Sequence, residues 1–318
     1  MKEVLASAYA NIALIKYWGK RDEFLMLPTK SSLSVSLDAL KTTTEITFSD
    51  SDQIVINNQA AQGESQLKIL RFLHVFRKKF NINKFFQINS VNSFPTAAGL
   101  ASSASGIAAL TRGLNELCSL NLSSKELSIL ARRGSGSAAR SVFGGFVLWH
   151  KGSLLDGTDS FAEQIFTAQH WPEFRLIIAI VQQSKKYISS TQAMQTTVKT
   201  CKIYNDWVKN SERRIKPMID AIANKDLQTV GELAQIDCLD MHETMRMSSP
   251  SINYWTDKTM KIIDLVNNLR RSGIQCYFTI DAGPNVKILT LEKHQEQILS
   301  EIKNIEDVQT IVSGVAVD

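Results

Sequence analysis

The spacing of apolar and polar positions changes along the chain. Segments 42–48, 53–56 and 85–88 are short, rich in β-branched or aromatic residues and bounded by Asn, Ser and Asp, which predicts strands. Between them Leu67, Leu70, Leu73 and Phe76 recur at helical spacing with a basic far side, predicting a helix over about 65–79. Leu100, Ala104, Ile107, Leu110, Leu114 and Leu117 then fall on one face of a second helix, which opens from Pro95-Thr96-Ala97-Ala98-Gly99. A third begins at Ser123, where Glu126 completes a capping box and Leu122 can staple onto Leu127; Gly134 stops it behind Arg132-Arg133. Residues 143–149 and 176–181 read as buried strands. Beyond Gln182 to Lys186 the period turns helical over 204–223, 227–245 and 260–269, the last stopped by Gly273. Strands at 275–280 and 286–289, a helix over 292–302 and a strand at 308–317 close the chain. Strands, then helices, then strands predict an α+β fold in two lobes, residues 1–183 and 184–318.

Composition narrows the class. The 318 residues are 44% hydrophobic and 21% charged, enough for a sizeable core and unlike a disordered chain. A net charge of +5 is a thin surplus that a phosphorylated small molecule satisfies as well as nucleic acid does, and no basic stripe is present. Cys118, Cys201, Cys238 and Cys276 are far apart and form no C-x-x-C pair, which argues against a zinc site or a disulfide framework and for a reducing cytoplasm. The apolar run 4–15 resembles the middle of an export signal, but Glu3 lies in the flank that should be positive and Asn11 interrupts the run. The longest aliphatic stretch, 176–181, falls far short of the ~20 residues a membrane helix needs.

Four segments carry candidate chemistry. Small residues from Pro95 to Gly106 open onto a helix, where unpaired backbone N–H groups and the hydroxyls of Ser102 and Ser103 suit phosphate; close helix packing is the alternative. No Lys follows as a P-loop requires, and the G-x-G-x-x-G spacing is absent. The turn Gly134-Ser135-Gly136-Ser137-Ala138-Ala139-Arg140 matches G-x-G-x-x-A by letter, yet a helix precedes it where a dinucleotide fold needs a strand. It remains a flexible turn with two hydroxyls and an Arg suited to an anion, or an ordinary surface turn. Lys16 interrupts an apolar strand before Tyr17 and Trp18, either snorkelling to solvent or held beside an acid. Asp281 ends a strand ahead of Ala282-Gly283-Pro284-Asn285, as a catalytic acid or as a turn-bonding one. The five histidines are scattered, and His242-Glu243 lacks the second His of a zinc motif.

Together these segments resemble the diphosphomevalonate decarboxylases of the GHMP small-molecule kinase superfamily. The likeness runs through N-I-A-L-I-K-Y-W-G-K-R-D at 11–22, S-S-L-S-V-S-L at 31–37, F-P-T-A-A-G-L-A-S-S-A-S at 94–105, G-S-G-S-A-A-R-S at 134–141, S-K-K at 184–186 and D-A-G-P-N at 281–285. The Y-W-G-K and G-S-G-S-x-x-R segments are specific to the decarboxylase branch. The resemblance implies a ribosomal-protein-S5-like α/β lobe that binds nucleotide, a C-terminal α+β lobe, and a homodimer. It implies phosphorylation of the substrate's tertiary 3-hydroxyl from Mg-ATP, after which phosphate and carbon dioxide leave mevalonate 5-diphosphate to give isopentenyl diphosphate.

By the same resemblance, Asp281 orients or deprotonates the 3-hydroxyl, Lys16 neutralises nearby charge and Arg140 grips the carboxylate. Pro95, Gly99, Leu100, Ala101, Ser102 and Ser103 hold ATP phosphates, with magnesium at Ser102 and Ser103, while Ser90 and Asn92 lie toward the base. Tyr17, Trp18, Lys20, Ser135, Gly136, Ser137, Ser190 and Met194 line the substrate. Two positions depart from the pattern: Lys30 stands where a small polar residue is expected, and Thr191 where some relatives carry an Arg to the diphosphate. Arg71 or Arg77 can supply the missing charge. The rival readings are a phosphomevalonate decarboxylase, a mevalonate 3-kinase and a non-catalytic anion- or nucleic-acid-binding protein. Neither a nucleic-acid nor a membrane partner is expected.

Overall fold

A computed structural model of the chain describes residues 2–94, 102–182 and 187–318. The N-terminal half contributes strands β1 (Glu3–Ile15), β2 (Lys20–Asp22), β3 (Leu27–Pro28), β4 (Ser32–Ser49), β5 (Gln53–Ile56) and β6 (Gln59–Ala60), helix α1 (Gly63–Phe80) and β7 (Phe85–Asn92). Helices α2 (Ser102–Leu117), α3 (Ser124–Gly134) and α4 (Ala138–Ser141) follow, then β8 (Phe146–Trp149), β9 (Ala162–Phe166) and β10 (Phe174–Ile180). Next come α5 (Ser190–Thr200), α6 (Tyr204–Arg213), α7 (Ile215–Ala223), α8 (Leu227–Arg246) and α9 (Asp257–Arg271). β11 (Cys276–Ile280), β12 (Val286–Leu291), α10 (Gln295–Ile302) and β13 (Gln309–Ser313) end it.

The first sheet runs β6-β5-β7-β4-β8-β9, with β1 alongside β4. Of its pairs only β5 with β7 is parallel among the described residues. The long β4 is its spine, pairing with β8 from Ser32 to Val35 and with β7 from Thr42 to Ser49. The strand expected at 42–48 thus starts ten residues earlier. The alternation Ser32, Leu33, Ser34, Val35, Ser36, Leu37 explains why: all six are buried, so small hydroxyls fill one face and aliphatics the other. The run weighed as an export signal is β1, buried on both faces from Ala10 to Ile15. Helices α1, α2 and α3 cover one face of the sheet through Phe72, Phe76, Ile107, Leu114 and Leu130. The capping box on α3 forms as expected, Ser123 Oγ accepting from the Glu126 amide at 3.3 Å and Glu126 Oε2 from the Ser123 amide at 2.9 Å.

The second sheet has the order β11-β12-β10-β13. The expected division at 183/184 falls outside the described residues, but β10 pairs with β12 and β13 and so belongs in space to the C-terminal half. The helix expected over 204–223 is two helices that meet at Arg214. Pro217 is the cause: its ring has no N–H and would clash with the Arg213 carbonyl in a continuous helix. Helix α5 is not among the elements expected from the sequence, although Ser189 and Gln192 form its capping box.

The two halves share one core. Ile12, Leu14, Leu33, Val35 and Leu37 of the first sheet pack with Leu176 and Ile178 of β10, Met218 and Ile222 of α7, and Val230 of α8. An isolated bridge between Leu37 and Val315 ties the sheets at one end. Helix α8 lies close enough to β11 that a Cβ on Gly231 would sit 2.0 Å from the Tyr277 ring. The ring base cannot yield that distance without moving the strand. Gly231→Ala is therefore expected to destabilise by about 2 kcal/mol, within the range for overpacking a core; denaturant titration, with an unchanged midpoint as the contrary result, checks it.

Candidate active site

The junction of the halves is where β1 and β11 end. Lys16 follows β1 and Asp281 follows β11, and Lys16 Nζ donates to Asp281 Oδ1 at 2.8 Å and to the Ala13 carbonyl at 3.0 Å. Of the two readings open for Lys16, the structure selects the lysine held beside an acid: only 1% of it is exposed. Lys287 of β12 approaches the other carboxylate oxygen at 3.4 Å. Burial works to raise the Asp281 pKa, but Lys16 and Lys287 outweigh it and hold the carboxyl ionised well below the usual carboxylate range. Lys287, itself buried, has its pKa lowered by burial against the pull of Asp281. The sequence reading missed it, although a lysine inside Val286-Lys287-Ile288-Leu289 carries the same signal as Lys16.

Helix α8 frames this pair. Asp237, fully buried, accepts from the Lys16 backbone N–H at 2.7 Å and from Arg214 at 2.9 Å. One residue on, Cys238 Sγ accepts from the Ile280 amide at 3.1 Å, and His242 Nε2 lies 3.2 Å from the Ile280 carbonyl. Burial pushes His242 down to about 3, so it is neutral at physiological pH. The turn after Asp281 is fixed by Asn285, whose Oδ1 accepts from Val181 N at 2.8 Å and Gln182 N at 3.1 Å.

Arg140 comes from α4, next to the glycine turn. Its Nε donates to Asn11 Oδ1 at 3.1 Å and Nη1 to Ser32 Oγ, with the guanidinium 5.7 Å from the Trp149 ring centre. Burial lowers its pKa to about 10, and the Asp281 charge opposes that shift. Asn11 also donates to Ser141 Oγ at 2.7 Å and the Ser137 carbonyl at 3.1 Å, so β1 orients the whole α4 turn. Gly136 is needed because Tyr17 Oη would lie 2.6 Å from a Cβ there. Among the described residues that hydroxyl, which is buried, has no hydrogen-bond partner, and neither has Trp18 Nε1.

A second cluster sits at the start of α2. Lys68 of α1 donates to Ser103 Oγ, and Ser103 Oγ lies 3.5 Å from Ser135 Oγ. Burial pushes Lys68 down to about 8, Glu64 opposes this, and the Lys20 charge adds to it. Lys20 is buried and paired with Glu23 at 2.6 Å. Of the arginines considered on α1, Arg77 is committed to Asp52 at 2.5 Å and to the Lys84 carbonyl, and Arg71 is exposed. Lys68, not considered from the sequence, is the α1 cation that reaches the serines.

The remaining candidates fall nearby or aside. Ser90 and Asn92 lie on β7, bonded to Thr44 at 2.9 Å and Thr42 at 2.7 Å. Ser190 begins α5, and Met194 packs with Trp18, Tyr204 and Tyr254. Thr191 is exposed on α5. Ser137 precedes α4 and gives its carbonyl to Asn11. Pro95, Gly99, Leu100 and Ala101, like Ser184 to Lys186, lie outside the described residues. Among the described residues no cluster of His, Cys, Asp or Glu can hold a metal, and no helix is long and apolar enough to cross a membrane.

Two sheets sharing one core, with an acid flanked by buried lysines where the halves meet and hydroxyls beside a lysine at the start of α2, make up a chain of the GHMP kinase fold. The comparisons with known proteins agree. Residues 8–162 match the family model for the diphosphomevalonate decarboxylase-like N-terminal domain, and residues 176–316 match that for the mevalonate 5-diphosphate decarboxylase C-terminal domain. The Aspergillus fumigatus diphosphomevalonate decarboxylase is 41% identical over 94% of this chain and 79% of that protein. Mevalonate diphosphate decarboxylase from Staphylococcus aureus superposes with a TM-score of 0.94 at 37% identity, covering 99% of this chain and 96% of that one. A solved complex of MDDEF with MVAPP, AMPPCP and magnesium does so with a TM-score of 0.92 at 40% identity, covering 99% and 97%. The chain belongs to the diphosphomevalonate decarboxylase family.

The two cations around Asp281 give a pH prediction. Removing one raises the carboxyl pKa, so Lys287→Met should move the acid limb of the pH–rate profile upward relative to wild type. Superimposable acid limbs would show that Lys287 does not set the ionisation of Asp281.

Proposed function

We propose that this chain decarboxylates mevalonate 5-diphosphate with ATP, and that Asp281, Lys16 and Arg140 carry the chemistry. The observation that supports this most directly is the ionised Asp281 held between Lys16 and Lys287 in the environment of Arg140. A carboxylate so fixed can accept a hydrogen bond from a tertiary hydroxyl and orient its oxygen toward the γ-phosphate. Lys16 and Lys287 then steady the negative charge that develops as the hydroxyl becomes a phosphate ester. Arg140 is placed for the substrate carboxylate, and its lowered pKa reflects a burial cost that an anion would relieve. When the C3–O bond breaks, the phosphate leaves with that bond's electron pair, and the pair of the C1–C2 bond, released as carbon dioxide departs, forms the C2–C3 double bond. Positioning and charge carry the rate, because phosphoryl transfer asks little covalent chemistry of the protein.

The residues present fit a nucleotide phosphate. Ser102 and Ser103 open α2, and Lys68, pushed down to about 8, gains a counter-charge if phosphate arrives. Magnesium, bound through the phosphates and the two serines, would neutralise charge on the transferring group. Ser90 and Asn92 are assigned to the base side, and Tyr17, whose buried hydroxyl lacks a partner, to the substrate with Trp18, Lys20, Ser135, Gly136, Ser137, Ser190 and Met194. Lobes divided near residue 183, a homodimer and a cytoplasmic location belong to the same proposal; light scattering tests the dimer.

Carbon dioxide and ADP release from mevalonate carrying zero, one or two 5-phosphates separates the readings. Turnover is expected only with the diphosphate, and ADP without carbon dioxide would leave a kinase. Asp281→Asn should lower turnover by roughly 10²-fold or more, the scale for a positioned acid–base group; activity near wild type would remove Asp281 from the mechanism.

A further inference from the structure

Lys30 is a fully buried lysine that forms no ion pair among the described residues. Its Nζ donates to the Lys16 carbonyl at 2.6 Å and the Ser31 carbonyl at 2.7 Å, with the Trp207 ring centre at 5.3 Å. The other ends of those two residues are held by carboxylates: Lys16 N–H donates to Asp237 at 2.7 Å, and Ser31 N–H and Oγ donate to Glu212 at 2.7 and 2.8 Å. One cation and two acids therefore grip both polar backbone groups of Lys16 and of Ser31. Ser31 immediately precedes β4, whose first residue, Ser32, accepts from Arg140.

We propose that Lys30 is a positioning residue for the reaction, locking the backbone from which Lys16 reaches Asp281. A side chain that only filled space here would be apolar, because an ammonium with neutral acceptors is costly to bury. Burial indeed pushes Lys30 down to about 8; Asp237 and Glu212 pull it back, and Arg140 and Arg214 push with burial. Snorkelling is excluded, since none of the residue is exposed. The small polar residue expected at this position has too short a side chain to span the same two carbonyls.

The inference rests on reading Lys16 and Asp281 as the reacting pair, which wild-type turnover with the diphosphate and the Asp281→Asn variant test separately. Lys30→Met and Lys30→Gln are compared with wild type by kcat, by KM for each substrate and by Tm. The expected result for Lys30→Met is a kcat about tenfold lower, KM values within about twofold and a Tm within a few degrees of wild type, since misplacing a reacting group costs rate without costing ground-state binding. Lys30→Gln, which keeps two N–H donors without the charge, should recover part of the lost kcat. A kcat within about twofold of wild type in Lys30→Met overturns the proposal, as does a fall in kcat and Tm together that Gln does not relieve. If Lys30→Met does not fold, Lys30→Gln decides by kcat: between wild type and a tenfold loss with KM unchanged supports positioning, and unchanged kcat refutes it.

Discussion

A charged amine is costly to bury unless it is compensated, and Lys16 is almost completely buried. From the end of β1 it meets the C-terminal half, which brings Asp281 to the ammonium and Asp237 to the amide. The contact is electrostatic, but what holds it is apolar. Aliphatics of β1 and β4 pack with β10, α7 and α8 in one shared core, so the two sides of the ion pair are fixed by elements that cannot move apart without exposing it. Breaking such a pair from one side leaves an uncompensated buried charge, a larger penalty than the pair's own net worth.

Helix α8 is the instrument of that alignment. Three residues within two turns of its buried face, Asp237, Cys238 and His242, hold backbone atoms beside the Lys16–Asp281 pair: the Lys16 amide and both polar groups of Ile280. None of them needs to touch a substrate. The glycine at 231 lets the helix lie against Tyr277 and sets the depth from which those side chains reach. Arg214, at the break that Pro217 imposes between α6 and α7, closes on Asp237 from the far side. A proline in the wrong place for a long helix thus sits next to an arginine in the right place for a buried acid.

Much of this was written locally in the chain. The capping box at Ser123 and Glu126, the helical period of α1 and α2, and the polar interruptions at Lys16 and Asp281 follow from rules acting over a few residues. What the sequence hid were partnerships over long separations. Lys287 is one lysine among many until β12 lies beside β11; Lys68 reads as the basic far side of α1 until Ser103 meets it. Lys30 reads from the sequence as a departure from the family pattern, and its side chain points into the protein at the Lys16 carbonyl. The start of β4 was missed for a different reason: its serines are as buried as its aliphatics, so polarity did not mark a solvent face.

The charges near the junction do not balance by themselves. Lys30 and Lys68 are pushed to about 8 and Arg140 to about 10 by burial, and Lys287 is lowered as well, against the carboxylates of Asp281, Asp237, Glu212 and Glu23. A thin net charge of +5 for the whole chain conceals this local excess, because surface acids cancel it at a distance. Cations held in a low-dielectric setting without full compensation raise the free energy of the empty protein and strengthen their pull on any anion that enters. On the proposed function, the substrate carboxylate would supply that charge to Arg140 and a nucleotide phosphate would supply it to Lys68. Under that proposal part of the burial cost is recovered on binding, so sign and placement matter here more than the sum.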